Sequence, residues 1–71
     1  MKIERLIKMA NDIGQFFNAE SDKDIAAEGV RNHIERSWDP RMRRELILYG
    51  QQDGAALIDI VKVAVSRLDP V

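Results

Sequence analysis

One tripeptide, Trp38-Asp39-Pro40, constrains this chain more than any other feature. The residue before a proline is pushed out of the α region by the proline ring, so no helix runs through Asp39. The same aspartate is a good N-cap, and proline is favoured at the first helical position. The step therefore ends one helix and starts another across a defined turn. On either side the apolar residues recur every three or four positions, and nowhere do they alternate long enough to make a strand. The expected fold is all-α, a small bundle of four short helices with the third the shortest, in one domain covering residues 1–71.

The first helix is expected from Lys2 to Ala19, with Ile3, Leu6, Ile7, Ala10, Ile13, Gly14 and Phe17 on one stripe. Met9 and Phe16, seven apart, form a second apolar ridge beside it. Ser21 reads as the N-cap of a second helix reaching Ser37, with Asp22 and Asp24 in its first turn and Ala26, Ala27, Val30, His33 and Ile34 on one face. The third helix is expected from Pro40 to Tyr49, closed by Gly50, with Met42, Leu46 and Tyr49 as its apolar row. A linker over 51–54 leads to a fourth helix from Ala55 to Leu68, with Asp53 as its cap and Pro70 as its stop. Its main face is Leu57, Ile58, Val61, Ala64, Val65 and Leu68, and Ile60 and Val63 extend that face beyond what one contact needs. The surplus ridges, Met9 and Phe16 with Ile60 and Val63, predict that the isolated chain self-associates as a dimer.

Composition narrows the function. With 71 residues, no cysteine and one histidine, the chain has no thiolate metal site and no ligand set. No glycine-rich phosphate loop is present, and no cofactor is expected. His33 reads as a helix-edge histidine, Asp22 and Asp24 as capping acids that do not face each other, and Ser21, Ser37 and Ser66 as ordinary hydroxyls without a paired base. An autonomous enzyme is not expected. Eleven Lys+Arg against 12 Asp+Glu, a net charge of -1, argue against a uniformly basic nucleic-acid binder and a membrane anchor. With no long apolar run and no signal peptide, the expectation is a soluble, cytoplasmic protein.

The arginines are the local anomaly. Arg31, Arg36, Arg41, Arg43 and Arg44 lie within fourteen residues, opposed only by Glu35 and Asp39, while the rest of the chain holds six cations and ten acids. Arg41 and Arg43 stand in the first turn of the third helix, where the dipole disfavours cations. Two readings stand side by side: a solvated face paired to the acidic helices, or a partner-binding surface, since arginine is favoured in interfaces. Trp38 is equally open, either a core plug or an interface anchor. A third reading, a small helical nucleic-acid-binding module using the Arg31–Arg44 patch, finds little support in a third helix with no Asn or Gln placed to read bases.

Two segments carry a family resemblance. Residues 5–17, Arg-Leu-Ile-Lys-Met-Ala-Asn-Asp-Ile-Gly-Gln-Phe-Phe, and residues 33–43, His-Ile-Glu-Arg-Ser-Trp-Asp-Pro-Arg-Met-Arg, together resemble the delta subunit of NAD-dependent, molybdenum-containing formate dehydrogenase. A weaker match continues from Ala55 to Leu68. The Trp-Asp-Pro-Arg-Met-Arg run is the specific part, and Ser37 departs from the aromatic residue expected before the tryptophan. The resemblance implies a non-catalytic accessory subunit, without a cofactor of its own, that supports assembly, stability or activity of the complex. In such complexes the catalytic alpha subunit holds the molybdenum cofactor and iron–sulfur clusters, and beta and gamma subunits pass electrons to NAD. The expected partners are the other formate dehydrogenase subunits, foremost the alpha subunit. The expected recognition surface is Trp38, Asp39, Pro40, Arg41, Met42 and Arg43, with Met9 and Phe16 of the first helix.

Overall fold

Leu6, Ala10 and Gly14, spaced at four, place three buried positions on one line of the first helix, α1 (Ile3–Phe17). In the computed structural model, which describes residues 2–69, α1 is followed by α2 (Lys23–Ser37), α3 (Pro40–Gln52) and α4 (Asp59–Ser66). No strand is present among the described residues. The expected all-α bundle of four helices is what forms. The shortest member, however, is α4 with 8 residues, while α3 has 13. The expected stop at Pro70 lies outside the described residues.

The helix ends differ from the sequence expectations for local reasons. Helix α2 is capped by Asp22, whose carboxylate accepts the Asp24 and Ile25 N–H groups, and not by Ser21. The turn before it is tightened by Lys23, whose ammonium donates to the Asn18 and Glu20 carbonyls at 2.9 Å each. Helix α3 runs through Gly50 to Gln52. Gly50 is needed there because a Cβ would lie 2.9 Å from Val65 Cγ1, and the left-handed residue after the helix is Gly54, at φ 70°.

Residues 55–58, expected as the first turn of the last helix, form a turn of their own. Side chains from other elements claim its backbone. The Tyr49 hydroxyl accepts the Ala56 N–H at 3.0 Å, and the Asn11 amide of α1 donates to the Ala56 carbonyl at 2.9 Å. The same Asn11 accepts the Ile58 N–H at 3.0 Å, so α4, whose own N-cap Ile58 has no side-chain cap, is capped from α1. Asp53 ends α3 and does not cap α4.

Short and apolar, α4 is shared by the other three helices and packs most extensively on α2. Ile60, Val61, Ala64 and Val65 are all buried, together with Leu6 and Ala10 of α1, Ala26, Val30 and Ile34 of α2, and Leu46 of α3. Ile60, expected to extend the apolar face outward, is therefore a core residue. Val63, by contrast, is 41% exposed. Where α1 meets α4, a Cβ on Gly14 would lie 2.5 Å from Val61 Cγ2 and 2.8 Å from Ile58 Cδ1.

Two substitutions test this arrangement. Asn11→Ala removes two cross-element hydrogen bonds and should cost about 1–3 kcal/mol in chemical denaturation. Gly14→Ala gains up to about 1 kcal/mol of helix propensity but forces a methyl group onto fully buried Val61. Overpacking of that kind costs about 1–3 kcal/mol, so the melting temperature should fall.

Candidate partner-binding surface

The Trp38-Asp39-Pro40 step forms the corner that its chemistry dictates. Trp38 donates its N–H to the Ile34 carbonyl at 2.9 Å and ends α2 in an extended conformation. Asp39 caps α3 through its carboxylate, which accepts the Met42 N–H at 2.9 Å, and Pro40 opens the helix. The indole of Trp38 is 6% exposed and belongs to the core. Of its two weighed roles, the fold gives it the core plug. Asp39, Pro40 and Arg41 are exposed, whereas Met42 and Arg43 are half-buried.

The arginine cluster does not act as one patch. Arg31 donates to the Arg67 carbonyl at 3.0 Å and pairs with Glu28 and Glu35 at 3.4 and 3.5 Å. Arg43 reaches across the corner and donates from Nη1 to the Glu35 carbonyl at 2.9 Å, with its Nε enclosed by the fold. Arg44 is engaged as well. Arg67 bridges Asp24 and Glu28, pinning the end of α4 to α2, and those carboxylates, Asp24 foremost, hold its guanidinium above the usual arginine range. Arg36 and Arg41 are exposed and form no ion pair among the described residues. The two corner arginines therefore divide: Arg41 points into solvent, while Arg43 fastens α3 to the end of α2.

The second ridge of α1 divides likewise. Met9 packs partly against the core, but Phe16 is 78% exposed, the most open of the large apolar side chains. Its ring meets Phe17 edge to face, centroids 5.1 Å apart at 89°. Phe17 in turn lies over Gly29 of α2, where a Cβ would come within 2.5 Å of the ring. Beside these rings a groove of about 370 Å³ opens between α1 and α2, lined by Asp12, Ile13, Phe16, Phe17 and His33. His33 is thus a groove-lining side chain, and no cluster of His, Asp and Glu among the described residues could hold a metal ion.

Two exposed apolar residues escaped the sequence reading. Ile25 of α2 is 58% exposed and Leu48 of α3 is 53% exposed. Each is a lone large side chain off its helix's buried stripe, a signal that was present but weak. Ile25 precedes Gly29 by four on α2 and so lies one turn from the ring of Phe17, near the Phe16 end of the groove.

The arginine assignment yields a paired prediction. Arg41→Glu puts an acid in the first turn of α3 and should leave the melting temperature unchanged or raise stability by about 0.3–1 kcal/mol. Arg43→Glu loses the bond to the Glu35 carbonyl and sets a carboxylate against it, which should lower stability by about 1–3 kcal/mol. Thermal melts of the two single variants check this. Equal melting temperatures would remove Arg43 from the fold's supports.

A comparison with curated proteins and a comparison with solved structures each give no match. A family model does match. Residues 5–65, from the start of α1 to the last turn of α4 and including the whole corner and both walls of the groove, fit the description of the NADH-dependent formate dehydrogenase delta subunit FdsD. The chain belongs to that family of formate dehydrogenase delta subunits.

Proposed function

We propose that this chain is a non-catalytic accessory subunit that binds the other subunits of a cytoplasmic formate dehydrogenase, the catalytic alpha subunit foremost, and supports assembly, stability or activity of the complex. The observation that carries the reading is Phe16, an aromatic side chain left 78% exposed beside an apolar groove in a chain whose family is a subunit of a larger enzyme. Exposed aromatic residues rimmed by polar ones mark protein–protein surfaces. On this reading Phe16 and Arg41 touch the partner, with Asp39 and Pro40 presenting Arg41 at the corner. Trp38, Met42, Arg43 and Met9, part-buried or buried, hold those residues in place.

Several features support the choice over a nucleic-acid module. Arg31 and Arg43 are spent on carboxylates and carbonyls of the chain itself and Arg44 is engaged as well, so the Arg31–Arg44 segment offers no continuous cationic stripe to phosphates. No helix among the described residues is long and apolar enough to cross a membrane. Self-association of the free chain as a dimer remains part of the proposal, as a weaker contact of its exposed apolar side chains when the other subunits are absent. The ridge available for it is smaller than the sequence suggested, because Ile60 is buried and Met9 half-buried.

Two measurements test the reading. A tagged copy purified from its host should bring down the other formate dehydrogenase subunits together with molybdenum, read by mass spectrometry and elemental analysis. The same chain purified alone should carry no metal, flavin or nucleotide in its elemental analysis and absorbance spectrum. A tagged copy that emerges without the other subunits contradicts the binding role, and a stoichiometric cofactor on the isolated chain contradicts the accessory one.

A further inference from the structure

The exposed apolar side chains are not equivalent. Leu48 stands alone on the outer face of α3, between Arg44 and Gln52. Val63 borders a hollow whose cations are already partnered, Lys23 by the Asn18 and Glu20 carbonyls and Arg67 by Asp24 and Glu28. Only the outer face of α1 and α2 combines an apolar groove, two of the most exposed large apolar residues, and a cation with no ion pair among the described residues. Gly29 and Arg36, seven apart, lie on one line of α2, and Ile25 stands one turn before Gly29. Along that line the surface passes from Ile25 over the ring of Phe17 and past His33 to Arg36, about 16 Å in all. Arg41 lies just past the corner at the same end.

We propose that the α1–α2 groove seats one amphipathic helix of another formate dehydrogenase subunit, an apolar residue between Phe16 and His33 and a carboxylate, about one helical turn further on, at Arg36. This rests on the accessory-subunit reading above and gives it a site, an orientation and a partner chemistry. The helix-in-groove mode suits a cleft between two helices whose walls are aromatic and aliphatic. Charge complementarity fixes the direction. At the cationic end Glu35 is taken by Arg31 and the Asp39 carboxylate caps α3 through the Met42 N–H, and Arg36 has no ion pair among the described residues. A second copy of this chain fits less well. Its acids nearest the open end of α2 are already at work, Asp22 accepting the Asp24 and Ile25 N–H groups and Glu20 accepting the Asp22 N–H. The Phe17 ring over Gly29 also keeps two α2 helices from approaching closely.

The test uses the full chain and purified formate dehydrogenase lacking this subunit. Phe16→Ser should weaken binding by roughly thirtyfold, as loss of a central aromatic anchor does. Arg36→Glu should weaken it and flatten its dependence on salt. Leu48→Ser and Val63→Ser, on other faces, should bind like the parent; these two and Phe16→Ser should melt like the parent, while Arg36→Glu, which puts an acid in the last turn of α2, should fold and melt slightly lower. A benzophenone side chain placed at position 16, and separately at position 36, should crosslink to one and the same helical segment of another subunit, with an acid near the second crosslink. Crosslinks to a second copy, crosslinks to unrelated segments, or normal binding by both Phe16→Ser and Arg36→Glu would each overturn the proposal while leaving the accessory role intact. If the parent chain itself fails to bind the purified enzyme, the accessory reading fails with it.

Discussion

The bundle depends on the seating of α4. At eight residues it is too short to hold a helical shape in water by itself, and its stability comes from burying one side of it, Ile60, Val61, Ala64 and Val65, against the other helices. That side can be buried because the helices around it leave room. Gly14 lets Val61 and Ile58 approach α1, and Gly50 lets Val65 approach α3. Asn11 then supplies the N-terminal cap that the sequence of α4 lacks. Arg67, held by Asp24 and Glu28, ties the far end to α2. The inner stripe of α1 is shared by α2, α3 and α4, which reach Met9 of its second ridge only in part and leave Phe16 outside.

Charge follows the same division. A dense run of arginines looks from the sequence like one surface. In three dimensions its members have separate duties, because α2 and α3 are joined by a corner that turns them apart. Arg31 faces the acids of its own helix, and Arg43 satisfies a carbonyl at the end of α2, a favourable place for a cation. What remains for a partner is the small set at the outer end, Arg36 and Arg41. Few charges at one end of an apolar face orient a partner more than they bind it.

Much of this was legible in the sequence. The Asp39-Pro40 corner, the four helices and the inner faces of α1, α2 and α3 follow from spacing and from proline and cap chemistry, which are local. The Trp-Asp-Pro-Arg-Met-Arg run pointed to the delta-subunit family, to which residues 5–65 belong. What was not legible was set by contacts between elements. Residues 55–58 read as helix because their composition permits it, but Asn11 and Tyr49 claim their backbone groups from a distance of 45 and 7 residues. Ile60 read as surplus because periodicity shows a wide apolar face without showing that several helices share it. Trp38 could not be placed until its corner had a core beneath it, and Arg41 and Arg43, two residues apart, could not be told apart by type.

The central claim is that the open face of α1 and α2, and not that of α3 or α4, meets the rest of the enzyme. Amide hydrogen exchange of the full chain, free and within the assembled formate dehydrogenase, reads this directly. The account predicts new protection over residues 13–17 and 25–36, with the outer positions of α3 beyond Arg44 and of α4 around Val63 exchanging as in the free chain. Protection confined to α3 and α4, with α1 and α2 unchanged, would contradict it.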